Sequence, residues 1–448
     1  MKPTSCTSLL IAATLGLSTA AAAAGLSSPA RARLDSAIEA IANDSQHPLA
    51  SLSVLAIKNG EVVYTRQTGH RYIDPVDPAY SKPANTRTLY RVASISKLVT
   101  ALGVMKLVED GKLDLDADVS VWLGYALRNP HFPDAVITLR LLMSHTSSLR
   151  DAAGYNFTYT LPLREVLLPG GAQYGVGAAW AADHGPGYFS YVNLNWGVIG
   201  TIMERATGER FDRLMQRLIL APLGMHGGFD PTEFSSEDLA NLATLYRKRI
   251  EVDGKEVWRP AGPWVAQTDD YSGAAPAPRA GADYVIGTNG TVFGPQGSLR
   301  ASAEDLGKIM LMLMQRGRYG ERLILQPASI ATMFAPQWRI DGSGGNGENY
   351  RGFFNAWGLG IQHVLDISGA GWGDRQVADG SFAGKGHTGD AWGLTSAFTL
   401  DFAQKDGMIF LVGGPGFDPE TRRGLYSGKY RYEELILDAL YRHALRTK

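Results

Sequence analysis

Residues 94–97 read Ser94-Ile95-Ser96-Lys97 and open a long helical pattern, with Leu98, Val99, Leu102, Met105 and Val108 as its apolar positions and Gly111 as its stop. Positions three apart share a helix face, so Lys97 stands one turn above Ser94, within reach of its hydroxyl. A serine hydroxyl is a poor nucleophile until a neighbour takes its proton. A lysine does so only where burial and nearby charge lower its pKa. The helix N-terminus adds backbone N–H groups beside the nucleophile. Among the chain's lysines, only Lys97 has a serine three residues before it. An exposed serine at a helix start is the bland reading of the same tetrapeptide.

Working outward, Tyr191-Val192-Asn193 is the one Tyr-x-Asn of the sequence; it follows the loop signal Gly185-Pro186-Gly187 and precedes a helical run from Trp196 to Ala206. A tyrosine near an ammonium group can be stabilised as phenolate and act as general base; taken alone, a packed aromatic is the commoner role. Asn193 can donate to the carbonyl side of a substrate and accept from Lys97. His387-Thr388-Gly389 begins a strand pattern, where Gly389 would let a substrate approach the backbone. The N–H of Asp390 would pair with that of Ser94 to hold a developing oxyanion. A lone histidine in a turn is more often structural.

Both ends of the chain combine helix and strand. Arg31 to Ile41 repeats apolar residues at helical spacing, and Leu52 to Ile57 and Val62 to Thr65 flank Asn59-Gly60, a strong two-residue hairpin signal. A second hairpin is expected from Thr395 to Leu400 and Met408 to Val412, with its turn at Lys405-Asp406-Gly407, before a final helix from Tyr430 to Leu445. The middle reads as mainly helical. The simplest arrangement brings the two ends together as one α/β (α+β) domain, from about residues 30–90 and 285–448, with a mainly helical lobe inserted at about 91–284. Ala274 to Gly281 and Asp341 to Gly352 read as surface loops.

At 448 residues, with 45% apolar and 19% charged residues and a formal net charge of −1, the composition is that of a globular protein. No long basic run suggests a nucleic-acid or membrane-surface partner. Lys2, the apolar run Leu9 to Leu17 and the small residues Ala20 to Ala24 form the three-part pattern of a cleavable secretory signal at 1–24, leaving a mature chain of 25–448 without a membrane span, periplasmic or secreted. The single cysteine, Cys6, lies in that segment, so the mature chain has no disulfide, cysteine nucleophile or cysteine-ligated metal.

Leu89-Tyr90-Arg91-Val92-Ala93-Ser94-Ile95-Ser96-Lys97 and its continuation Leu107-Val108-Glu109-Asp110-Gly111-Lys112-Leu113-Asp114-Leu115 resemble the nucleophile segment of the penicillin-binding-protein and class C β-lactamase family. Leu141-Leu142-Met143-Ser144-His145-Thr146-Ser147, Pro222-Leu223-Gly224-Met225, Gly297-Ser298-Leu299 and Ala303-Glu304-Asp305-Leu306 follow in family order, so the resemblance covers about residues 30–445. It implies an antiparallel sheet flanked by N- and C-terminal helices plus a helical lobe, with the site between them. There Ser94 is acylated, Lys97 assists as base, and Tyr191 shuttles the proton to the leaving group and later activates water. Asn193 orients substrate and His387 lines the strand edge, while His145 is a structural turn residue. The family needs no metal or organic cofactor. Class C β-lactamases carry Lys-Thr-Gly where this chain has His387-Thr388-Gly389, which looks more like the D-alanyl-D-alanine carboxypeptidases and D-amino-acid amidases or aminopeptidases. Asp390, acidic where many relatives have a small neutral residue, would oppose a substrate carboxylate.

Other hydrolase signatures are missing: the sequence has no Gly-x-Ser-x-Gly and no His-Glu-x-x-His. Gly342-Ser343-Gly344-Gly345-Asn346-Gly347 fits a nucleotide-binding pattern formally but starts no helix, and reads as a loop. The expectation is a serine hydrolase acting on a small-molecule or peptide substrate. Amide or peptide bonds at a D-residue rank first, esters second and β-lactams third; a penicillin-binding sensor is the non-enzyme alternative.

Overall fold

The computed structural model describes residues 25–446. The secretory-signal reading of 1–24, Cys6 included, lies outside the described residues. Nine strands form one antiparallel sheet. In chain order they are β1 (Ser51–Lys58), β2 (Glu61–Tyr72), β3 (Lys82–Pro83), β4 (Trp338–Arg339), β5 (Ala356–Trp357), β6 (Gln362–His363), β7 (Lys385–Ala391), β8 (Leu394–Asp401) and β9 (Asp406–Val412). Their spatial order is β4-β5-β6-β7-β8-β9-β1-β2-β3. Five helices frame the sheet and the site: α1 (Ser28–Ala42), α2 (Ile95–Glu109), α3 (Leu194–Thr207), α4 (Ala303–Met314) and α5 (Arg431–Leu440).

The two ends of the chain meet, because β1 pairs with β9 on one side and β2 on the other. Side chains alternate along a strand, and β1 uses both faces. Leu52, Val54 and Ala56 join Met408, Phe410 and Val412 under α1 and α5, through Leu34, Ile38, Ile436 and Leu440. Leu55 and Ile57 point the other way, with Ile409 and Leu411, into a core shared with α2 and α4. Helices on both faces are why β1 is apolar without alternation from Val54 to Ile57.

The Asn59-Gly60 turn forms as expected, with φ of +53° and +80° and Lys58 paired to Glu61. The second hairpin turns earlier than its sequence signal. Asp406 and Gly407 belong to β9, paired with Asp401 and Leu400, and the loop is 402–405. Asp401 starts that loop by accepting the N–H groups of Ala403 and Gln404. The middle of the chain is less purely helical than its reading: Leu245–Arg247 pairs with Val265–Thr268, and Arg249–Val252 with Lys255–Trp258. Asp253-Gly254, at φ +51° and +72°, turns the second of these hairpins. Among the described residues, no helix is long and apolar enough to cross a membrane.

Candidate active site

Tyr90–Arg91 pairs with Arg300–Ala301, and the chain then enters α2 through Ala93, whose φ is +49°. That conformation is uncommon for a residue with a Cβ and marks local strain. It sets Ser94 at the N-cap of α2, where its side chain makes no capping bond. The hydroxyl is instead held by Lys97. Every residue from Ile95 to Met105 is buried, so Lys97 is a lysine in the core. Its Nζ lies 2.8 Å from Ser94 Oγ, 2.8 Å from Asn193 Oδ1 and 2.9 Å from the Gln296 carbonyl oxygen. Burial pushes the Lys97 ammonium down to about 7, against the opposing charge of Asp151.

Asn193 is oriented by Asp151, at the start of α3. One Asp151 oxygen accepts from the Asn193 backbone N–H and from its Nδ2, each at 2.9 Å; the other accepts from the Leu194 N–H at 2.9 Å. A carboxylate only accepts, so Nδ2 must face Asp151 and Oδ1 must face Lys97. Asn193 therefore accepts from Lys97 as expected, with one Nδ2 proton left for other partners.

Tyr191 is clamped between two rings, His145 at 4.4 Å and Phe354 at 5.0 Å between centroids. Its hydroxyl hydrogen-bonds Ser94, yet burial raises its pKa well above the usual phenol value. The phenolate expected beside an ammonium is thus not the resting form; Lys97 is the group poised to lose a proton. His145, at φ +60°, accepts the Val192 N–H on Nδ1 at 2.9 Å. The Trp196 indole N–H is aimed at its Nε2 from 3.5 Å, and the ring lies under Tyr191 rather than at the cleft.

His387 follows the last residue of β7 paired with β6, on the free edge of the strand, but it is not among the residues lining either arm of the cleft. It is buried, its Nδ1 lies 2.6 Å from the Thr388 carbonyl oxygen, and its ring packs against Trp357 and Tyr191. Burial first, and the Lys97 charge second, push it down to about 3, so it is neutral. Packing also requires glycine at 389. A Cβ there would stand 2.5 Å from Ser396 Oγ and 2.6 Å from the Val92 carbonyl oxygen. The space glycine leaves is filled by the segment leading to Ser94. Thr388, Gly389 and Asp390 do line the cleft, and β7 has no strand neighbour on that side beyond Gly386.

Two arms meet at Ser94, Tyr191 and Asp390. One, of about 440 Å³, runs past Thr388, Tyr350, Phe354 and Lys429; the other, of about 300 Å³, past Asn193, Arg91, Tyr155 and Trp392. Asp390 is exposed at their junction; the surrounding protein still raises its carboxyl, with Arg247 opposing. Sequence reading missed Asp151, the Gln296 carbonyl and the wall that the 341–354 loop forms with Tyr350, Arg351, Phe353 and Phe354. That loop is tied down where Glu348 donates its N–H to the Phe189 carbonyl at 2.9 Å and the Tyr350 hydroxyl accepts the Tyr191 N–H at 3.0 Å. A Gly- and Asn-rich composition showed the loop but not what it covers. No cluster of His, Cys, Asp or Glu suited to a metal occurs among the described residues.

The comparisons agree with this architecture. Penicillin-binding protein 4* of Bacillus subtilis (strain 168) is 28% identical over 178 residues, 39% of this chain and 36% of that protein. Esterase EstB of Burkholderia gladioli is 29% identical over 245 residues, 52% of this chain and 59% of that protein. The chain thus matches between about a third and three-fifths of the length of these curated relatives. Among solved structures, the D-amino acid amidase from Ochrobactrum anthropi SV3 superposes with a TM-score of 0.59 at 19% identity, covering 92% of this chain and 97% of that one, a likeness of fold. The family described as Beta-lactamase matches residues 34–427, nearly the whole of the described chain, and to that family the chain belongs.

Proposed function

We propose that the chain is an exported serine hydrolase working through an acyl-enzyme on Ser94, with amide or peptide bonds at a D-residue as its preferred class of substrate. The observation that carries the reading is the 2.8 Å contact between Ser94 Oγ and a fully buried Lys97 whose pKa is drawn down to about 7. A lysine in that state is neutral in a large fraction of molecules near neutral pH and can accept the hydroxyl proton. Ser94 Oγ then attacks the substrate carbonyl carbon while its proton passes to Lys97 Nζ. Tyr191, protonated and hydrogen-bonded to Ser94, hands a proton to the departing amine or alcohol as the C–N or C–O bond breaks, and regains one from Lys97. Water adds to the acyl carbon by the reverse relay, and the acid leaves. The backbone N–H groups of Ser94 and Asp390 hold the oxyanion in this scheme.

Asp390, exposed at the junction of the two arms, supports substrates with a neutral or amine-bearing group near the scissile bond. The esterase among the curated relatives supports carboxylesters as the second class. Export rests on the pattern of Lys2, Leu9 to Leu17 and Ala20 to Ala24. The test is turnover of D-alanyl peptides, D-amino-acid amides, p-nitrophenyl esters and nitrocefin by the wild type and by Ser94→Ala. Ser94→Ala is expected to lose activity on the order of a millionfold while remaining folded. A tenth of wild-type activity in the purified variant would sink the assignment.

A further inference from the structure

We propose that Trp392 is a recognition platform that selects substrates carrying a large apolar or aromatic group on one side of the scissile carbonyl. The proposal rests on the Ser94 reading above and adds a substrate class to it.

The hairpin joining β7 to β8 closes with two residues, Trp392 and Gly393, at φ +59° and +97°, with Ala391 paired to Leu394. Two positive φ values in a two-residue loop are the mark of a type I′ turn, which favours Asn-Gly, Asp-Gly or Gly-Gly. Glycine at 393 fits: a Cβ there would press within 2.7 Å of the Tyr246 carbonyl oxygen. Tryptophan at 392 does not fit, because a bulky residue at positive φ is an outlier. Asn59-Gly60 and Asp253-Gly254, at two other two-residue hairpins, show the turn residues this chain uses elsewhere.

What the strained position gains lies in the cleft. Trp392 is 49% exposed and lines the same arm as Ser94 and Tyr191, with Tyr155, 37% exposed, in the same lining. The Arg91 guanidinium sits 5.7 Å from the indole centroid and is itself tied to the Gly297 carbonyl at 3.1 Å, so the ring is braced at the rim. Asp390, two residues back on β7, lines the same arm. Two exposed aromatics in an otherwise polar arm of about 300 Å³ are suited to a benzyl-sized group stacked against Trp392. The competing account is that Trp392 only covers Arg91, in which case its loss affects stability and not selectivity.

The experiment compares kcat/KM in two substrate series, one changing the acyl substituent from methyl to benzyl at a fixed leaving group, the other changing the leaving group at a fixed acetyl. In Trp392→Asn the preference for the aromatic member is expected to fall about fivefold to tenfold in one of the two series, which identifies the side it binds. Asn-Gly suits the turn, so Tm is expected to hold or rise. Trp392→Phe should keep most of the preference, and Tyr155→Ala should lose part of it without touching the hairpin. Should Trp392→Asn fail to fold, those two variants decide. An unchanged preference in both series, whatever happens to Tm, overturns the proposal. Ser94→Ala is run beside them: activity surviving in that variant overturns the site itself, whereas a dead Ser94→Ala with unchanged selectivity in the Trp392 variants overturns this inference alone.

Discussion

Asp151→Asn perturbs the charge that steadies Lys97 without removing either member of the proton relay. The Asp151 carboxylate and the Lys97 ammonium are joined through the Asn193 amide, by contacts of 2.9 Å and 2.8 Å. Across one amide the two charges stand about 7 Å apart, and at an effective dielectric of about 20 their attraction is roughly 2.4 kcal/mol. Removing it lets burial act with less opposition, so Lys97, at about 7 in the wild type, should release its proton roughly 1 to 2 pH units lower. Asparagine keeps one oxygen to accept from the start of α3, while its Nδ2 faces an N–H group that the second carboxylate oxygen had accepted, so the hold on Asn193 or Leu194 loosens. The assay is kcat/KM against pH at constant ionic strength on one neutral substrate. The acid limb is expected to move to lower pH, and the plateau to fall on the order of tenfold, since the base is weaker and Asn193 less firmly held. An acid limb that stays put or moves upward would refute the reasoning. The same burial has a stability signature: the folded pKa of Lys97 is below its ordinary 10.5, so the unfolded chain binds the extra proton between about pH 7 and 10.5. The Lys97 contribution to stability therefore rises with pH through that window, and Lys97→Met should remove that slope in denaturant titrations.

Further outcomes follow from the same geometry. Lys97→Ala and Tyr191→Phe should each cripple acylation, and the double variant should be scarcely worse than either, because groups passing one proton act as a unit; strictly multiplicative losses in single-turnover rates would place them in separate sites. Asp390→Ser should raise kcat/KM for a carboxylate-bearing substrate relative to a neutral one by about twofold to fivefold, modest because the group is exposed; an unchanged ratio removes Asp390 from charge selection. Gly389→Ala should destabilise the fold by about 1–3 kcal/mol through its collisions with Ser396 and Val92, read as a lowered denaturation midpoint; wild-type stability would show that the contact is slack.

Local physics made much of this protein legible from its sequence. The Asn59-Gly60 hairpin, the helix that opens at Ser94, the helices at both ends and the apolar strands β1 and β9 follow from periodicity and turn chemistry over a few residues. The pairing of Ser94 with Lys97 could be read because one helical turn joins them. Other contacts of Lys97 could not, since Asn193 lies 96 residues away and Gln296 lies 199 residues away, and no local pattern encodes who meets whom at that range. Burial is likewise a property of the assembled layers. It makes Lys97 a candidate base, keeps Tyr191 a phenol and holds His387 neutral, packed inward on the edge of β7 and out of the cleft lining. Asp151 and the wall at 341–354 look like ordinary loop residues until the fold sets one at the start of α3 and the other across Tyr191. The sequence by itself determined which residue types were available and the order in which they occur; the tertiary structure decided their protonation states and their partners, because both depend on water being excluded by segments distant in the chain.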